Sequence, residues 1–102
     1  MSHILVLQWP GSSEAEFDEL IEIEDELEKA LADSATVDGH DFGSGEMNIF
    51  IETDQPSRTF ATAQEVLSHR PSWADVRAAY REAAGDQYTV LWPGGLTDFR
   101  IK

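Results

Sequence analysis

The sequence predicts an α+β domain in which a four-stranded antiparallel sheet carries its helices on one face. Three observations lead there. Apolar residues recur at helical spacing over 14–31, strand-like runs stand at 3–9, 35–41, 46–54 and 86–92, and Pro- or Gly-bearing corners separate them. The chain has 102 residues, 41% of them apolar, which suits one core and leaves no room for a second; residues 1–102 are read as a single domain.

The first strand is HILVLQW, apolar enough for a central position and ended by Pro10 and Gly11. A helix follows, with Ala15, Phe17, Leu20, Ile21, Leu27 and Leu31 at helical spacing and acids between them. Its start is marked by Ser13 and Glu16, the S-x-x-E spacing of a capping box. ATVDGHD and EMNIFIETD are two strands around the turn FGSG, which makes a hairpin. Next comes a helix with Asp54 or Gln55 as its cap, Pro56 in its first turn, and Phe60, Ala63 and Leu67 facing inward. Pro71 stops it. RPSWADVRAAYREAAG predicts a third helix, capped by Ser72, with Trp73, Val76, Tyr80 and Ala83 on one face and Gly85 at its end. DQYTVLW is the last strand, and the tail LTDFRIK either adds a short edge strand or drapes over the core.

The order is therefore strand, helix, strand, strand, helix, helix, strand. With right-handed crossovers this interleaves into the ferredoxin-like arrangement. The first and last strands then run side by side and antiparallel, which places the corners LQWPGS and VLWPGG at opposite ends of the sheet.

Seven Lys and Arg against 20 Asp and Glu give a net charge of -13. So acidic a chain is repelled by phosphate backbones and anionic lipid, which argues against nucleic acid and membrane partners. There are no cysteines, so neither disulfides nor thiolate metal sites are available. The N-terminus has no basic region before a long apolar run, and no run reaches the length of a membrane span, so a cytoplasmic protein is expected. Residues 1–51 hold thirteen acids and one base, a net -12, whereas residues 52–102 hold seven acids and six bases. Nine of the acids fall between Glu14 and Glu28. Those at the helix end, such as Glu26 and Glu28, oppose the helix dipole and one another, which makes a cation or basic partner a reasonable expectation.

The stretch VDGHDFGSGEMNIFIETD invites a phosphate or metal reading. A dinucleotide loop needs a helix after its glycines, but here Gly43 and Gly45 lie between strands and Asn48 stands where the third glycine would be. An EF-hand pattern started at Asp38 fails at His40 and Phe42. A hairpin turn is the better reading. The alternative is a zinc or manganese site gathered from Asp38, His40, Asp41 and Glu46, although one His without H-x-x-x-H spacing is a thin ligand set. His3 and His69 are isolated, and no G-x-S-x-G elbow supports a hydrolase. No cofactor is implied.

Alternation places Met47, Ile49 and Ile51 under the helices and leaves Asn48, Phe50 and Glu52 on the open face, with Thr36, Asp38 and His40 from the paired strand. Either a second copy packed sheet to sheet or the tail LTDFRIK would cover the apolar part of that face. An RNA-binding sheet would surround its aromatics with basic residues, and GEMNIFIE has none. The layout resembles small cofactor-independent oxygenases of the antibiotic-biosynthesis monooxygenase type, ferredoxin-like dimers with Asn, Trp and His in an open-face pocket. That resemblance implies an enzyme alternative built on His40, Asn48 and Trp9 or Trp92.

DGHDFGSGEMNIFIETDQP, together with YTVLWPGGLTDF, resembles small uncharacterised bacterial proteins, some of them immunity proteins of toxin systems. The resemblance implies a compact acidic protein that acts by binding. The carboxylates of the first helix independently suit a basic protein partner, and Glu19, Glu22, Asp25 and Glu26 are the residues expected to contact it. The expectation is thus a non-enzymatic acidic binding protein.

Overall fold

The computed structural model describes residues 2–101; Met1 and Lys102 lie outside them. Strand β1 (His3–Pro10) is the middle of the molecule, with Leu5, Val6 and Leu7 fully buried. A strand so apolar on both faces needs partners for its main chain on both edges, because a buried unpaired peptide group is costly. Those partners are β3 (Glu46–Thr53) and β4 (Arg77–Glu82), both antiparallel to it. Outside them lie β2 (Thr36–Gly43) and the short β5 (Thr89–Trp92), which completes a five-stranded sheet in the order β2-β3-β1-β4-β5.

Helix α1 (Glu14–Ala30) crosses from β1 to β2, and α2 (Pro56–Leu67) from β3 towards β4. The capping box forms as the spacing requires. Glu16 N donates to Ser13 Oγ at 3.1 Å, and Glu16 Oε1 accepts from Ser13 N at 3.1 Å and from Ser12 N at 3.1 Å. Those main-chain donors, with the Ser13 hydroxyl, hold the Glu16 carboxyl below its ordinary pKa. At α2, Pro56 occupies the first turn and Gln55 caps without a side-chain bond; Thr53 Oγ1 instead accepts from Gln55 N and pairs with Thr59 Oγ1 at 2.7 Å. The turn between β2 and β3 is two residues long, Ser44 at φ 57° and Gly45 at φ 81°, both in the left-handed region that a type I′ hairpin needs.

One core lies between sheet and helices. It is built from Leu5, Leu7, Trp9, Met47, Ile49 and Ile51 of the sheet against Leu20, Ile23 and Leu27 of α1 and Phe60, Ala63 and Leu67 of α2. A smaller cluster sits on the opposite face, where Phe99 of the C-terminal tail covers Val6 and Ala79, with Phe50, Tyr88 and Val90 around it. The tail thus drapes over the open face and, among the described residues, forms no strand.

Two expectations need correcting. The sheet has five strands, not four, because residues 72–84 are not a helix: Pro71–Asp75 is a single 3-10 turn and β4 follows directly. Ala78, Ala79, Ala83 and Ala84 are good helix formers, and Trp73, Val76 and Tyr80 fall at helical spacing. The same residues also alternate, however, with Val76, Ala78 and Tyr80 towards the helices and Arg77, Ala79 and Arg81 away. The unpaired edge of the buried β1 decides between the two patterns. Since β4 takes the place beside β1, β5 lies one strand further out and runs parallel to β1. The two Trp-Pro-Gly corners are therefore at the same end of the sheet.

Candidate functional site

The acidic helix sorts its carboxylates by direction. With Leu20, Ile23 and Leu27 on the core, positions one step to either side flank the interface, and positions opposite face water. On one flank, Arg70 sits in the connection after α2 and points at α1. Its Nη2 donates to Glu26 Oε2 at 3.2 Å, and its Nη1 lies 3.4 Å from Glu19 Oε2 and 3.5 Å from Glu22 Oε1. Ser72 Oγ donates to the same Glu19 oxygen at 2.9 Å. Burial of the guanidinium opposes its charge, but the hydrogen bonds and charges of Glu26 and Glu19 prevail, so the Arg70 pKa is raised. On the other flank, His40 Nδ1 lies 3.1 Å from Glu24 Oε1 and 3.2 Å from Oε2, with the Phe17 ring edge-on to both His40 and Phe42. Arg70 on one side and His40 on the other thus clamp α1 to the rest of the fold.

Of the four residues expected to meet a partner, Glu19 and Glu26 are therefore turned inward to Arg70. Glu22 and Asp25 point outward with side chains 68% and 65% exposed, and Asp25 pairs with Lys29 at 3.1 Å. Asp18 lies on the same outward stripe, and among these acids sits Ile21, 40% exposed. Helical spacing groups Ile21 with Leu20 and Leu27, but its place one step outside the seam of Leu20, Ile23 and Leu27 turns it to solvent. Arg70 was missed because it lies 44 to 51 residues from its partners.

The hairpin distributes its polar residues to both sides of the sheet. A bulge at Asp38 shifts the register between Val37 and Gly39, so His40 pairs with Ile49 and faces the helices, whereas Asp41 pairs with Asn48 on the open face. The expected open-face grouping of Asp38 and His40 with Asn48 is corrected by that one extra residue. Trp9 is buried in the helix-side core, and Trp92 lies beside Phe60 at 6.2 Å between ring centroids, also on the helix side. The sheet therefore separates Asn48 from His40, Trp9 and Trp92. Likewise Asp38, His40, Asp41 and Glu46 do not converge, and among the described residues no group of three or more His, Asp or Glu is placed to hold a metal.

The open face instead carries a buried polar cluster. Gln8 Nε2 lies 3.2 Å from Glu46 Oε2 and 3.0 Å from Asn48 Oδ1, and Asn48 Nδ2 donates to Glu46 Oε2 at 3.1 Å. Gln8 Nε2 also reaches the main-chain oxygen of Arg100 at 3.0 Å, which ties the tail to β1. A shallow cavity of about 260 Å³ lies beside this cluster, lined by Gln8, Glu46, Arg77 and Arg100 among others. Polar residues at alternate positions of otherwise apolar strands, Gln8 in ILVLQW and Asn48 in MNIF, were the available sign of it.

Among the described residues no helix is long and apolar enough to cross a membrane. Comparison with protein-family models, curated proteins and solved structures finds no match for this chain.

Proposed function

We propose that the protein is a non-enzymatic binding protein that engages a basic protein partner through the outward stripe of α1, as an immunity-type inhibitor would. The observation that carries this reading is the exposed stripe itself. Arg70 and His40 draw Glu19, Glu26 and Glu24 to the flanks, and the helix still presents Asp18 to water together with Glu22 and Asp25, which stay mostly exposed beside Arg70 and Lys29, around the half-exposed Ile21. An apolar side chain ringed by charges of one sign suits a complementary surface that seats the apolar group and pairs the rim. The excess charge of residues 1–51 steers such a partner from a distance. The frame is read as ferredoxin-like, with β4-β1-β3-β2 as its four strands and β5 as an added edge, in a cytoplasmic protein with neither nucleic acid nor membrane as partner.

The test is capture from the source cell's lysate at low and high salt by the parent protein and by the triple variant Asp18→Asn, Glu22→Gln, Asp25→Asn. These positions leave the contacts of Glu19 and Glu26 with Arg70 in place. A protein retained at low salt by the parent, and lost both at high salt and with the variant, supports the reading. Retention unchanged by the variant ends it.

A further inference from the structure

The outer edge of β2 is a strand edge that no other strand pairs among the described residues. The other edge, β5, is only four residues long and is followed by Pro93, whereas β2 runs for eight. We propose that β2 accepts an added strand from a basic partner along residues 39–43, so that the partner is held by main-chain hydrogen bonds as well as by charge. This rests on the proposed basic partner and adds how it docks.

The structure limits the pairing stretch and fixes which of its main-chain groups face outward. The bulge at Asp38 breaks the edge, which leaves Gly39 to Gly43 as its regular part. In a two-residue hairpin the closing pair, Gly43 and Glu46, is hydrogen-bonded, and the pattern alternates from there. The N–H and C=O groups of His40 and Phe42 therefore point away from β3 to the free edge. The faces above and below this stretch are unobstructed at its two glycines, because a Cβ built on Gly39 or Gly43 would meet nothing within 4 Å.

Charge decides between the two possible occupants. A second copy pairing antiparallel and centred on the same stretch would set Asp41 directly against its own image, below an α1 whose single base is Lys29. Like charges directly opposite on paired strands are destabilising. Residues 36–43 hold no Lys or Arg, so a second β2 sets no cation against these acids. A strand carrying Lys or Arg meets the same acids favourably.

The test uses two synthetic peptides of equal charge, an alternating Lys-Val octapeptide and its counterpart with Pro at two central positions, each titrated into the full protein and followed by amide resonances and hydrogen exchange. The expected result is slowed exchange at His40 and Phe42 with the first peptide, at least tenfold weaker binding of the second, and a similar loss with the Asp38→Lys, Asp41→Lys variant. Equal binding of both peptides, or shifts confined to α1, would overturn strand addition while leaving the acidic-helix reading standing. Binding of neither peptide would also overturn it, and the lysate capture would then decide the helix reading separately. Concentration-dependent dimerisation through β2 in the absence of peptide would show a second copy to be the occupant.

Discussion

Arg70 Nη2 lies 3.2 Å from Glu26 Oε2, and this contact joins the connection after α2 to the acidic helix. With Glu19 and the more exposed Glu22 on the same guanidinium, one cation offsets part of the charge of three carboxylates along this flank of α1. Arg70 is only 17% exposed, so the pairing is shielded from solvent on one side and holds geometry that a surface pair would not.

Arg70→Ala should destabilise the fold by about 1.5–3 kcal/mol, the range for hydrogen bonds to charged groups, because Glu19 and Glu26 lose their partner while α1 keeps its repulsion. Arg70→Lys should recover part of this, since it restores the charge but not the fork that reaches two carboxylates at once. Urea unfolding at low and high salt checks both variants. Salt screens the repulsion along α1, so the Ala penalty should shrink as ionic strength rises.

Glu16 gives a pH prediction with a definite sign. Its carboxyl is held below its ordinary pKa by the N–H groups of Ser12 and Ser13, so its contribution is present above the unfolded-state value and is lost as pH falls through the lower folded one. Glu16→Gln should lower the melting temperature at neutral pH, and the two proteins should converge in the acid range. A difference that persists undiminished below the folded pKa would show that the side chain acts by packing.

The local signals in the sequence were reliable where a single segment decides its own structure. The capping box at Ser13 and Glu16, the hairpin turn at Ser44 and Gly45, and the inward face of Phe60, Ala63 and Leu67 all stand as their spacing requires. The segment Trp73 to Ala83 was misread because its alanines favour a helix in isolation, while the edge of β1 required a strand there. His40 was placed on the wrong face by one bulged residue, to which alternation is blind. The inward turn of Glu19 and Glu26 was invisible for a different reason, since it depends on a cation more than forty residues away.

The tail is expected to be a structural cover. Phe99 packs on Val6 and Ala79 with its ring 5.0 Å from that of Tyr88, and Gln8 fixes the neighbouring main chain at Arg100. Phe99→Ala should destabilise by about 2–4 kcal/mol, given the cost of truncating a buried ring at a site that partly collapses. It should also bare the apolar part of the open face, read as increased binding of a hydrophobic dye or as dimer formation in sedimentation. Unchanged stability would mean that the tail is not seated on the sheet in solution.

Asn48 tests the buried polar cluster. It is fully buried, it donates to Glu46, and its carbonyl oxygen faces Gln8 Nε2. Asn48→Ala removes both contacts and leaves the neighbouring amide and carboxylate short of partners away from water, a loss of about 1–3 kcal/mol. The replacement Asn48→Asp keeps the shape but sets a second carboxylate against Glu46, so it should be at least as damaging. Denaturant midpoints for the two variants, followed as the pH is lowered, separate a packing defect from an electrostatic one, since protonation relieves only the second, whereas salt screens a buried pair little.

Ser44 offers the opposite kind of test, a substitution that should stabilise. Its φ of 57° places a residue with a Cβ in the left-handed region, and the following Gly45 at 81° completes the type I′ turn. The pair Asn-Gly is preferred in this turn, because the short Asn side chain tolerates that conformation through local hydrogen bonding. Ser44→Asn should therefore stabilise by about 0.5–1 kcal/mol, a rise in melting temperature of roughly 2–8 °C for a domain of this size. Gly45→Ala, at the same turn, should lower it by a comparable amount, because it places a Cβ at positive φ. A neutral Ser44→Asn beside a damaging Gly45→Ala would locate the strain of the turn at residue 45 alone.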